Sequence, residues 1–171
     1  LAGVSGADAE PQVRRGSVFV GREAELARLH QAWGALRGGV TAVATIEGSS
    51  GLGKTSLVER FAADLPAKGA LVLRARCYPH EIVPFEALDE VVDDLSRYLS
   101  SLAQERLDAL LPRDTAALLR VFPVLGRASL PATSGAAEDS VGADPHELRR
   151  RGFAALRELL ARLADRRALV I

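Results

Sequence analysis

Large apolar residues recur along this chain at two spacings. They bunch in Val18–Val20, Val40–Ile46, Ala70–Arg76 and Ala168–Ile171, short runs bounded by glycine or charge, which is the pattern of buried strands. Elsewhere they return every three or four residues, as on one face of a helix. Leu26, Leu29, Trp33 and Leu36 form one such series, with Trp33 read as core. Leu57, Val58, Phe61 and Leu65 form a second, ending at Pro66. The third runs from Pro84 to Leu102 through Phe85, Leu88, Val91, Val92, Leu95, Leu99 and Leu102. Two short helices, Glu105–Leu111 and Thr115–Phe122, are each stopped by a proline and read as an inserted helical layer. Asp144-Pro145-His146-Glu147 opens the last helix, with Asp at the cap, Pro at the first helical position and Glu three residues after the cap. Leu148, Gly152, Leu156, Leu159, Leu160 and Leu163 follow on one face. Cys77–Phe85, held by two prolines, and the small polar stretch Ser129–Ala143 read as loops. Strands alternating with helices predict an α/β fold with a parallel sheet, the 40–46 and 70–76 strands joined by a right-handed crossover.

The turn between the 40–46 run and the next helix carries the chemistry. Gly48-Ser49-Ser50-Gly51-Leu52-Gly53-Lys54-Thr55-Ser56 has the spacing G-x-x-x-x-G-K-T, the P-loop (Walker A) pattern. Its glycines let the backbone turn through conformations closed to other residues and approach a ligand closely. Successive N–H groups then form an anion nest, reinforced by the N-terminus of the helix beginning near Lys54. Phosphate fits such a nest. Lys54 can reach the outer phosphates as a point charge, and the Thr55 hydroxyl is placed to ligate a magnesium ion that keeps most of its waters. The expected ligand is therefore a phosphate-bearing nucleotide with Mg2+.

Composition narrows the class. A hydrophobic fraction of 48% and a charged fraction of 26% are those of a soluble globular chain. Acids and bases cancel, 22 against 22, which argues against a nucleic-acid or membrane partner for this segment. Only two of the 22 bases are lysines, so 20 are arginines, read as genome bias before function. A lone Cys77, expected buried at a strand end, fits a reducing compartment. With no signal-peptide pattern and no membrane-length apolar run, the expected location is the cytoplasm. Residues 1–17 read as a linker. The absence of methionine and the start at Leu1 lead us to expect a longer parent protein.

Phe19-Val20-Gly21-Arg22-Glu23, then a helix and the P-loop, resembles the opening of AAA-type and STAND-type ATPases. The stretches Arg76-Cys77-Tyr78 and Val83-Pro84-Phe85 look like the regulator ATPases joined to bacterial serine/threonine kinases or helix-turn-helix activators. The resemblance covers roughly 18–171 and implies the N-terminal portion of a three-layer P-loop ATPase domain. It also implies that Val20, Gly21 and Arg22 line the base pocket, and that ATP is taken over GTP. A kinase or helix-turn-helix domain on the same polypeptide and a homo-oligomer are the implied partners. Ala168–Ile171 has the character of the strand that precedes the magnesium-holding acid, which would be the next residue. In those families a later strand, carrying a polar sensor, lies between that strand and the P-loop strand. The expectation is weak nucleotide binding by 1–171 and no appreciable hydrolysis without the later elements.

Other candidates read more plainly. His80 and Glu81 could form an acid–base pair but lack an orienting third group. Glu86, Asp89, Glu90, Asp93 and Asp94 could suggest a metal, though a solvated helix face is the simpler reading. Arg149-Arg150-Arg151 could meet nucleic acid, though a solvated face is again simpler. Two alternatives to a signalling switch stand: a DNA-associated initiator or loader ATPase, which would require a winged-helix domain and a basic surface, and a nucleotide-binding scaffold without turnover.

Overall fold

The computed structural model describes residues 21–77, 86–128, 130 and 144–171. The chain divides into two compact units, up to Phe61 and from Ala62 onward, the division falling within a helix. The predicted strand at Val18–Val20, the 129–143 loop apart from Leu130, and most of the 77–85 loop lie outside the described residues.

The first unit holds α1 (Glu23–Arg37), an extended connection, and the start of α2 (Lys54–Asp64). In α1 the expected core position is occupied: Trp33 is buried, while Leu26, Leu29 and Leu36 are half-buried. His30 meets Phe61 edge-on, with ring centroids 5.2 Å apart. Of the α2 face, Leu57 is buried, Phe61 half-buried and Val58 exposed.

The run 40–46 corrects a sequence expectation. It is not a strand, and Val43 is 91% exposed. A β-branched run supplies only a preference; a strand is made by its ladder bonds. Among the described residues no strand pairs with this run.

The second unit is mostly helical: α3 (Glu86–Ser100), α4 (Gln104–Asp108), α5 (Thr115–Val121), a 3-10 segment Pro123–Ala128, and α6 (Pro145–Ala164). Its sheet comprises β1 (Leu71–Val72) and β2 (Leu169–Val170), parallel, with Leu71 opposite Leu169 and Val72 opposite Val170. Leu71 N–H donates to Ala168 O at 2.8 Å and Leu73 N–H to Val170 O at 2.9 Å. The described partner of β1 is therefore β2, not the 40–46 run. Among the described residues no ladder bond follows Leu73, and Cys77, expected at a buried strand end, is exposed.

Helical periodicity places the core positions of α3 and α6, and Leu118 and Leu125, which it does not single out, join them. Val91, Val92, Leu95 and Leu99 of α3, Leu118 of α5, Leu125 of the 3-10 segment, and Leu156, Leu159 and Leu163 of α6 form one buried cluster. Ser96, buried in α3, donates to Val124 O at 2.9 Å and ties α3 to the 3-10 segment. Helices α5 and α6 pack closely because residue 152 has no side chain: a Cβ there would lie 2.4 Å from Val121 Cγ2. The cap of α6 forms as expected at Asp144, whose carboxylate accepts His146 N–H at 3.1 Å. Glu147 turns instead to Arg150, with a 2.6 Å ion pair.

Two acids of α3 do more than face water. Period-two alternation turns the N–H groups of Arg74 and Arg76 away from β2. Asp94 accepts the first at 2.9 Å and Glu90 the second at 2.7 Å. At the other side of the pair, Arg167 donates to Gly69 O at 3.1 Å and Ala70 O at 3.2 Å, and its guanidinium sits 5.5 Å from the Tyr98 ring centroid. That arginine fastens the entry of β2 to the entry of β1.

Candidate phosphate-binding site

Between the 40–46 run and α2 the chain reverses through three glycines. Gly48, Gly51 and Gly53 have φ of 153°, 83° and 77°, a region L side chains rarely adopt. A Cβ at Gly48 would also lie 3.3 Å from Leu52 Cδ1, so the loop is folded onto its own first residue. The helix follows at once. Leu57 N–H closes the first turn onto Gly53 O at 3.0 Å, and the preceding N–H groups belong to the first turn, where helix geometry supplies no acceptor.

Lys54 curls back over this loop. Its ammonium donates to Gly48 O at 2.8 Å and Ser49 O at 2.9 Å, setting a positive charge against the backbone of the turn. Ser49, Ser50, Gly51, Leu52, Gly53, Thr55 and Ser56 are all exposed, and Thr55 stands in the first turn of α2. Three left-handed glycines, a helix N-terminus and one lysine meet in this single turn, so the residues present fit an anionic phosphate group.

Gly21 and Arg22, predicted to line a base pocket, sit at the start of α1; Val20 lies outside the described residues. Gly21 has φ 86°, and its N–H reaches Glu23 Oε1 at 3.3 Å. Arg22 is the N-cap residue of α1 and does something its spacing gave no sign of: its Nη2 donates to Leu52 O at 2.6 Å, across 30 positions of sequence. Its other amino group stands 3.6 Å from Glu25 Oε1.

Several of the remaining charged residues are paired with one another. In the groove between α5 and α6, Arg151 binds Asp114 at 2.7 Å, and this hydrogen bond, more than the Ala117 N–H, holds the Asp114 carboxyl below its ordinary range. Glu158 is likewise held low, first by the Arg113 N–H at 3.1 Å and then by Arg162. Two arginines of the 149–151 triplet are thus spent on Glu147 and Asp114. Among the described residues no group of three or more His, Cys, Asp or Glu gathers as a metal site. His80 and Glu81 lie outside the described residues. No helix among those described is long and apolar enough to cross a membrane.

Residues 18–171 match the family model of the AAA ATPase domain. A match over that much of the chain places it among the P-loop nucleotide-binding ATPases, whose fold is α/β; the chain belongs to the AAA ATPase domain family. No curated protein and no solved structure matches it.

Proposed function

We propose that residues 18–171 are the N-terminal part of a three-layer P-loop ATPase domain that binds ATP and ADP through Gly48–Ser56 and serves as the nucleotide switch of a regulatory protein. The observation that carries this reading is the loop conformation itself: three left-handed glycines, with Lys54 at 2.8 Å from Gly48 O and 2.9 Å from Ser49 O. In this reading the backbone N–H groups of 49–53 cradle the phosphates and Lys54 exchanges its carbonyl partners for phosphate oxygens. The Thr55 hydroxyl would help hold a magnesium ion, which would supply charge neutralisation for the phosphates. The base pocket, which the resemblance assigns to Val20, Gly21 and Arg22, belongs to the same reading. Turnover needs a magnesium-holding carboxylate of the kind the resemblance puts after an apolar strand such as Ala168–Ile171. Fusion to a kinase or helix-turn-helix domain, self-association and a cytoplasmic location belong to the same reading.

The test is equilibrium binding of fluorescent ATP and ADP to wild type and Lys54→Ala, each checked for folding by circular dichroism. Binding by wild type, lost in Lys54→Ala, is the expected result. A folded wild type that binds neither nucleotide would refute the reading.

A further inference from the structure

A phosphate nest works only if its peptide groups face the right way. In a trans peptide the carbonyl and the following N–H point in opposite directions, so whatever holds the carbonyl also aims the N–H. Within the loop, the Leu52–Gly53 peptide is the last before Lys54 and the helix. Its carbonyl is gripped by Arg22 Nη2 at 2.6 Å. The arginine is well placed to hold on, because its backbone caps α1 and its second amino group stands near Glu25, one turn into the same helix.

The other cation of the loop cannot do this job throughout. Lys54 holds Gly48 O and Ser49 O, but it is the side chain that must turn to the phosphates when they arrive. Arg22 need not move. A guanidinium donating to a carbonyl makes a charge-assisted bond, stronger than a neutral one, while its looser pair with an exposed Glu25 at 3.6 Å contributes little by itself.

We propose that Arg22 is a positioning residue for phosphate binding: by holding the Leu52 carbonyl it aims the Gly53 N–H into the nest, so it tunes affinity for the phosphates and not for the base. This rests on the phosphate-loop reading above and assigns Arg22 a role distinct from lining the base pocket.

The test separates phosphate from base. Inorganic tripolyphosphate and adenosine are each competed against fluorescent ATP on wild type, Arg22→Ala, Arg22→Lys and Lys54→Ala. Arg22→Ala is expected to weaken tripolyphosphate and ATP by roughly three- to tenfold, given the strength of hydrogen bonds to charged groups at a partly exposed position, and to leave adenosine unchanged. Arg22→Lys, which keeps a cationic donor, should recover part of the loss. The Gly53 amide NMR resonance should shift in Arg22→Ala, as expected when the Leu52–Gly53 peptide is no longer held, a readout that does not depend on any ligand. If adenosine weakens while tripolyphosphate does not, Arg22 serves the base and the proposal is wrong. The proposal also fails, with the phosphate-loop reading intact, if tripolyphosphate affinity and the Gly53 amide resonance are both unchanged in Arg22→Ala while Lys54→Ala loses binding. A folded wild type that binds no tripolyphosphate and no ATP overturns both.

Discussion

Glycine does opposite work in the two units of this chain. In the phosphate loop, Gly51 and Gly53 have nothing within 4 Å of where a Cβ would stand, yet both hold positive φ. Their constraint is conformational: the backbone must turn that way, and space is plentiful. At Gly152 no positive φ is needed, but a Cβ would lie 2.4 Å from Val121 Cγ2 and 3.1 Å from Ala117 O. There the constraint is room between α5 and α6. The loop is shaped by backbone torsion and by cations gripping carbonyls, whereas the helical unit is shaped by leucines excluding water. Ligand affinity should therefore be sensitive in the first region and stability in the second.

Gly152→Ala should produce the largest loss of stability, about 1–3 kcal/mol from overpacking, measured by urea unfolding. Because the cost is one of space, adding Val121→Ala should return part of it. A double variant no more stable than Gly152→Ala would break the comparison.

Gly51→Ala should cost about 1–2 kcal/mol, the penalty of a left-handed conformation for an L side chain. No neighbour is there to trim, so no second substitution should rescue it. Its stronger signature should be weakened ATP binding, since the side chain resists the turn that forms the nest. Equal ATP affinity in Gly51→Ala and wild type would show that the torsion is dispensable.

The smallest effect is electrostatic. Asp114→Asn keeps a cap acceptor for the Ala117 N–H and loses the pair with Arg151, an expected cost of about 0.5 kcal/mol at neutral pH. Since Asp114 titrates below its ordinary value, its contribution is complete above about pH 4 and disappears as pH falls through the depressed folded value. The stability gap between wild type and Asp114→Asn should accordingly narrow as pH falls below about 4. A gap that widened on acidification would reverse the assigned sign.

These differences also explain what could be read before the fold was known. The phosphate loop was legible because its requirements are local: glycine for torsion, lysine and threonine at fixed spacing. Helices were legible through their period, and Leu95, Leu99, Leu159 and Leu163 are buried where it put them. The 40–46 run misled because a strand is a property of two segments, and β-branched residues advertise only one of them. Cys77 misled for the same reason, since among the described residues no ladder bond reaches it. Arg22 on Leu52, Asp94 on Arg74 and Arg167 on Gly69 are side-chain bonds to backbone, separated by 30, 20 and 98 positions. A backbone acceptor has no residue identity, so no pattern in the sequence announces it.

The carboxylates of Asp94 and Glu90 act as stoppers on single peptide groups. Where the chain leaves β1 they occupy the N–H groups of Arg74 and Arg76, so at those two positions an incoming strand would find the donors already taken. Protection against edge-to-edge pairing there comes from two acids on a helix that contributes no strand of its own.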